Sequence, residues 1–123
     1  MITTPNPTNL HRWSDIPREK MTDLVARQVL HADTMTVARL ELRQSAVVPM
    51  HSHLNEQIAM VTAGALRFEI GGAEVIVRAG EMLQIPGGVP HSVVALEDSV
   101  AVDVFSPVRE DWVRGDDAYL RGR

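Results

Sequence analysis

The sequence predicts an all-β fold, a sandwich or barrel of short antiparallel strands. Three observations carry this reading: runs in which apolar and charged residues alternate, glycine- and proline-bearing turns between them, and the near-regular spacing of many such runs. At 123 residues the chain is the size of one domain, too short for a catalytic domain plus a DNA-binding or partner module.

Residues 1–21 read as an N-terminal arm. Positions 1 to about 12 are polar and proline-bearing, and Ser14 or Asp15 followed by Pro17 suits the start of a short helical turn. Leu24 to Leu30 is strand-like and is expected to add to a neighbouring sheet edge, as in a homodimer. Residues 22–106 form the expected barrel. In Ala38-Arg39-Leu40-Glu41-Leu42-Arg43 apolar and charged residues alternate, and the same period of two recurs from Leu66 to Ile70. Gly71-Gly72 then predicts a tight hairpin into Ala73–Arg78, because both turn positions need positive φ. Met82–Ile85, His91–Leu96 and Val100–Phe105 continue the series, with Ala79-Gly80, Pro86-Gly87-Gly88 and Glu97-Asp98 as turns. Residues 107–123 change character, rich in charge and carrying Trp112 and Tyr119, and are expected to fold back over the barrel.

The composition excludes several functions. The apolar 45% lies in short pieces, with no run long enough to cross a bilayer. With a net charge of −4 and interleaved signs there is no basic stripe for DNA or RNA. The first residues lack the basic start and apolar block of a secretory signal and there is no cysteine, so a cytoplasmic location is expected.

His51-Ser52-His53 is the most informative stretch. Two histidines one residue apart on an extended strand share a face, so both imidazoles can reach one ion. Gln57 shares their parity, whereas Glu56, a rival ligand, should point away. His91 follows the turn around Pro86-Gly87-Gly88 and can be delivered from an adjacent strand. Imidazole nitrogens and an amide oxygen suit Zn²⁺, Ni²⁺, Fe²⁺ or Mn²⁺ without choosing among them. His11 in the arm and His31 near a strand end read as solvated. The methionines at 35, 50, 60 and 82 read as barrel packing. Trp13, Trp112 and Tyr119 read as covering the barrel mouth or a subunit contact.

Asp103 is out of place in its own strand. In Val100-Ala101-Val102-Asp103-Val104-Phe105 the valines make one face, and an acid stands beside a phenylalanine on the other. A buried carboxylate is costly unless it is used or paired. It either serves a pocket or ties down an arginine such as Arg109.

The segment Ser45 to Gly64, with His51-x-His53, Gln57 and Gly64, resembles the first cupin motif, and Gly80-x5-Pro86-x-Gly88-x2-His91 resembles the second. Ser45 and Ala95 depart from the motifs' usual Gly and Asn. The resemblance implies a jelly-roll β-barrel with one divalent metal inside. Within the cupins, His51-x-His53-x-x-Glu56-Gln57 together with Asp103 to Trp112 looks like the small single-domain cupins grouped with the pectin-degradation protein KdgF. That resemblance implies His51, His53, Gln57 and His91 as metal ligands. It also implies Asp103, Phe105 and Arg109 lining the catalytic site, and a carboxylated sugar as substrate. The activity implied is ketonisation of 4,5-unsaturated monouronates, with Arg109 holding the uronate carboxylate through a bidentate pair. A cupin oxygenase or polyketide cyclase, and a non-catalytic small-molecule binder, are the alternatives. Gln57 stands where a glutamate ligand is common, which leaves the ion less neutralised and more electrophilic.

Overall fold

The computed structural model describes residues 8–122; residues 1–7 of the expected arm, and Arg123, lie outside the described residues. Ten strands among them form two antiparallel sheets. The larger has the order β1 (Glu19–Lys20), β2 (Val25–His31), β3 (Thr36–Leu42), β10 (Ser99–Ser106), β5 (Glu56–Ala63), β8 (Met82–Ile85). The smaller runs β4 (Val47–His51), β9 (His91–Ala95), β6 (Ala65–Ile70), β7 (Ala73–Arg78). Such an order, with β10 between β3 and β5, is that of a jelly roll rather than a meander.

The period of two decides which residues meet. β3 buries Thr36, Ala38, Leu40 and Leu42 and turns Val37, Arg39 and Glu41 outward. β10, paired to it from Ser99↔Leu42 to Phe105↔Thr36, sends Ala101, Asp103 and Phe105 inward. Val48, Leu66, Phe68 and Val93 come from the opposite sheet to close the core. The tight hairpin forms as expected: Gly71 and Gly72 have φ of 57° and 79°, and Ile70 pairs with Ala73. Gly64 lies so close to Ser99 and the Asp98 carbonyl that any Cβ there would overlap them.

Ser45, in place of the motif's usual glycine, is the non-glycine among the described residues with positive φ, at 75°. An L-residue in that region costs on the order of 1 kcal/mol. Ser45→Gly is therefore expected to raise the melting temperature by a few degrees, partly offset by the looser unfolded chain. A thermal melt that falls instead would show that the Ser45 side chain contributes more than its backbone costs.

The Leu24 to Leu30 stretch forms β2, which pairs along one edge with β3 of its own chain, from Val25↔Leu42 to His31↔Thr36, because Val25 and Val29 then face the core that β3 also faces; along its other edge β1 covers it at Ala26 and Arg27. The expectation for the methionines is corrected. Met35, Met50 and Met82 are exposed and Met60 half-buried, so these four do not pack the barrel interior; the buried methionine is Met21. The 3-10 turn near the start spans Trp13–Asp15, ahead of Pro17, and Gln28 Nε2 holds it by donating to the carbonyls of Trp13 (2.7 Å) and Ile16 (3.0 Å). No helix among the described residues is long and apolar enough to cross a membrane.

After β10 come a short helix, α1 (Glu110–Val113), and a 3-10 turn, Ala118–Arg121. Trp112 and Leu120 are buried against the barrel. Buried Asp117 accepts from Arg27 Nη2 (2.9 Å) and Arg121 Nε (2.9 Å), which pins this segment to β2. The bonded Arg121 guanidinium holds the Asp117 carboxyl below the usual carboxylate range; burial opposes this and Arg27 reinforces it. With its folded pKa below its unfolded one, Asp117 stabilises the fold at neutral pH, and that share is lost as pH falls from about 4 through the depressed value. Asp117→Asn should accordingly melt below the wild type at pH 7, with the gap closing towards pH 3. A gap that does not change with pH would reject this assignment.

Candidate metal centre

The site is built where the two chain segments around His51 and His91 are joined by the smaller sheet. β4 ends at His51, which pairs directly with His91 at the start of β9. The register is irregular between Val48 and His51, where Pro49 has no N–H to give the ladder. His53 consequently lies in the loop beyond β4 and not on the strand expected to carry both histidines. That loop is tied back by Gly88, whose N–H donates to the His53 carbonyl at 2.8 Å. The ring centroids of His51 and His91 are 4.3 Å apart, those of His53 and His91 5.0 Å, and those of His51 and His53 5.7 Å.

Each imidazole is oriented in the same way. His51 Nδ1 lies 2.7 Å from the Pro49 carbonyl, His53 Nδ1 3.0 Å from that of Asn55, and His91 Nδ1 2.9 Å from that of Val89. A carbonyl oxygen only accepts, so Nδ1 carries the proton in all three rings and Nε2 keeps its lone pair. One ligating nitrogen from each ring lies within 4.8 Å of the others. Burial pushes His51 and His53 down to about 4 and lowers His91 as well, which keeps the rings neutral at pH 7.

Gln57, on β5, points into the same space, with Oε1 3.1 Å from His53 Nε2. Both atoms are acceptors once His53 is protonated on Nδ1, and two facing lone pairs are what a shared cation satisfies. Three neutral imidazoles and an amide oxygen fit one divalent ion. Glu56 turns outward, where Gln84 Nε2 donates to it at 3.0 Å. His11 is exposed, and His31 lies apart with Nδ1 2.8 Å from Thr36 Oγ1.

Asp103 faces the cavity from β10, paired with Ala59 of β5 and so one inward position along from Gln57. Burial pushes its carboxyl up to about 7, while the Gln57 amide, which donates to it, and the more distant Arg109 act the other way. Asp103 does not tie down Arg109. The guanidinium is instead held by Asp111, Nε to Oδ1 at 2.9 Å and Nη2 to Oδ2 at 2.8 Å, and Nη2 also donates to Tyr119 Oη at 3.0 Å. It lies between the rings of Phe105 (4.6 Å) and Trp112 (4.1 Å) and is almost wholly buried. The forked edge expected to clamp a carboxylate is therefore already engaged.

Phe105 stands edge-on to His53, with centroids 5.5 Å apart, and so touches both the histidine and the arginine. Tyr119 stacks on His51 at 4.4 Å and lines the cavity, which places it at the barrel mouth; Trp13 lies away from it in the N-terminal turn. Sequence reasoning missed Asp111 as the partner of Arg109. Its signal, an Arg-x-Asp spacing just beyond the last strand, is weak among so many charges.

Residues 38–106 match the cupin domain family. The chain is a cupin. It is 30% identical over 102 residues to the pectin degradation protein KdgF of Dickeya dadantii (strain 3937), covering 80% of this chain and 93% of that protein. The structure of KdgF from Halomonas sp. superposes with a TM-score of 0.80 at 26% identity, over 86% of this chain and 99% of that one. An RmlC-like cupin from Shewanella frigidimarina NCIMB 400 shares the fold, with a TM-score of 0.79 at 22% identity, over 86% and 96% of the two chains. Within the family this chain is thus a small single-domain cupin resembling KdgF, and its three clustered histidines mark it as a candidate metal-binding cupin.

Proposed function

We propose that this cupin is a metal-dependent isomerase that converts 4,5-unsaturated monouronates, the products of pectin or alginate breakdown, into their linear keto forms. The likeness to the pectin degradation protein over 93% of its length carries the reading, and the cavity chemistry supports it. His51, His53, Gln57 and His91 would hold one divalent ion, Ni²⁺, Zn²⁺, Mn²⁺ or Fe²⁺. When bound, that ion supplies Lewis acidity towards the substrate oxygens.

The remaining work falls to the chain. Asp103, held beside Gln57 in the cavity, moves the protons: the C1 hydroxyl proton passes to the ring oxygen as the C1–O5 bond breaks to an aldehyde and a C5 enol, and the enol proton is then taken and delivered to C4, so ring opening and tautomerisation balance without another reactant. Arg109 supplies positive charge to the uronate carboxylate. Because Asp111 occupies its forked edge, it offers Nη1 alone rather than a bidentate pair. Phe105 keeps His53 and Arg109 in place and excludes water between them. The assay is decay of the ultraviolet absorbance of a 4,5-unsaturated galacturonate or mannuronate. Metal-loaded protein that adds nothing to the spontaneous rate would reject the proposal.

Gln57 separates this reading from a mere metal store. Gln57→Glu adds a charged donor, so divalent metal should bind more tightly; yet it sets a second carboxylate against Asp103 and neutralises the ion. Turnover should fall at least about tenfold while metal content holds or rises. Unchanged turnover would remove the amide from the mechanism. A cytoplasmic homodimer belongs to the same proposal. The outer edge of β2 beyond Arg27 carries no strand partner among the described residues, and light scattering of the purified protein reads the mass directly.

A further inference from the structure

We propose that Tyr119 is a substrate-contacting residue, carried into the site by a hinged C-terminal segment that must open to admit a uronate and closes over it. The inference rests on the uronate reading above and adds a residue and a motion to it.

The first observation is the space. The cavity ringed by His51, His91, Asp103, Phe105, Arg109 and Tyr119 has a volume of about 50 Å³. At about 10–15 Å³ for each water that is room for roughly four waters, against about twelve non-hydrogen atoms in an unsaturated monouronate. Any metal ion takes part of it as well. The cavity is partly open to solvent but too narrow beside the histidines for a whole uronate, so some wall has to move for one to reach them.

The second observation picks the wall. Most of the lining comes from strands paired on both sides. Tyr119 does not: it sits in the 3-10 turn Ala118–Arg121, outside both sheets. The chain leading to that turn is pinned at its root. Asn55 Nδ2 donates to the Pro107 and Val108 carbonyls (2.6 and 3.2 Å), and the Arg109 N–H donates to Thr36 Oγ1 (3.0 Å). Beyond α1, Gly115 has φ of 85°, a glycine turn at which Asp116–Arg121 can swing while Trp112 stays buried on the barrel and gives up only its bond to Tyr119. No sheet ladder holds that piece down: apart from the Asp116 N–H donating to the Asp111 carbonyl at its root (2.7 Å), it is kept in place by side chains, with Leu120 in the core, Asp117 on Arg27, Arg121 on Glu19, and Tyr119 on His51, Arg109 and Trp112.

The third observation assigns Tyr119 its role. Its oxygen accepts from Arg109 Nη2 (3.0 Å) and Trp112 Nε1 (3.2 Å), which uses both lone pairs. The phenolic hydrogen finds no acceptor among the described residues and is left to donate into the cavity. A carboxylate or hydroxyl oxygen of a uronate, lying between the phenol and the histidine cluster, would accept it. Closing the segment would then do two things at once, since the same phenol oxygen that receives Arg109 fixes the guanidinium that meets the carboxylate.

The test compares wild type with Tyr119→Phe, which keeps the stacked ring and removes only the O–H, both saturated with Zn²⁺. D-galacturonate affinity is read by calorimetry and backbone hydrogen exchange of residues 116–121 by mass spectrometry. Losing one hydrogen bond to the ligand should weaken galacturonate about tenfold, with zinc affinity unchanged. In the wild type, galacturonate should slow exchange in 116–121 while leaving the strands as they were, and in Tyr119→Phe that protection should shrink. A purely structural Tyr119 would raise exchange with and without ligand alike and leave the ligand-induced difference intact. Affinity within twofold of wild type, or exchange in 116–121 indifferent to galacturonate, overturns the inference. If galacturonate binds and Tyr119→Phe weakens it but unsaturated uronate is not turned over, the isomerase reading fails alone. If no uronate binds the wild type, both fall.

Discussion

His53→Ala should leave a folded protein that neither retains a stoichiometric divalent ion nor accelerates uronate ketonisation above the spontaneous rate. His53 lies in a loop between β4 and β5, so no ladder hydrogen bond depends on its side chain, and the cost to stability is confined to a partly buried ring. Its Nε2 faces Gln57 Oε1 at 3.1 Å, and removing it takes away one of the acceptors that converge there. Metal-ion stabilisation of developing charge is worth several kcal/mol, so a loss of at least about a hundredfold in kcat/KM is expected. Metal content by mass spectrometry and the ultraviolet assay read the two effects separately, and a chelator applied to the wild type should reproduce both, reversibly on adding metal back. A variant that stays active with no bound metal would remove the ion from the reaction.

Asp103→Asn carries the second large effect, and it separates function from structure because the two roles predict opposite changes in stability. As the proton carrier, the carboxylate is worth about 10²–10⁴ in rate, and the amide has no comparable basicity. Its folding energetics point the other way. Asp103 lies among Ala101, Phe105 and Ala59, with Gln57 as its hydrogen-bonding neighbour and Arg109 committed to Asp111. Ionised in that setting it is poorly paired, so a neutral isostere should be no less stable and melt at or above the wild-type temperature. A drop of several degrees with activity intact would restore the structural-tie reading that the Arg109–Asp111 geometry argues against.

Much of the barrel was legible before any coordinates. The alternation in β3 and β6, the Gly71-Gly72 hairpin and the parity of His51, Gln57 and Glu56 are local properties, set by backbone sterics and by which face each side chain takes. Asp103 betrayed itself as a charge on an apolar face. Other features were out of reach. That β2 joins β3 of its own chain depends on a choice between partners that a strand-like pattern cannot make. That the four methionines lie outside the core was equally hidden: Met60 and Met82 sit on strands of the larger sheet, Met50 on β4 of the smaller and Met35 in the turn between β2 and β3, so hydrophobicity did not mark the inside.

The sequence by itself determined a cupin barrel, the residue types that meet in it and a donor set suited to one divalent ion. Only the tertiary structure decided the protonation of the three histidines, because each Nδ1 is set by a carbonyl brought beside it by a turn. It likewise decided that Arg109 belongs to Asp111 and Tyr119, and that Tyr119 covers His51. Those pairings turn on distances of about 3 Å between groups on segments with no regular period, where a charge has several partners within reach and only packing selects one.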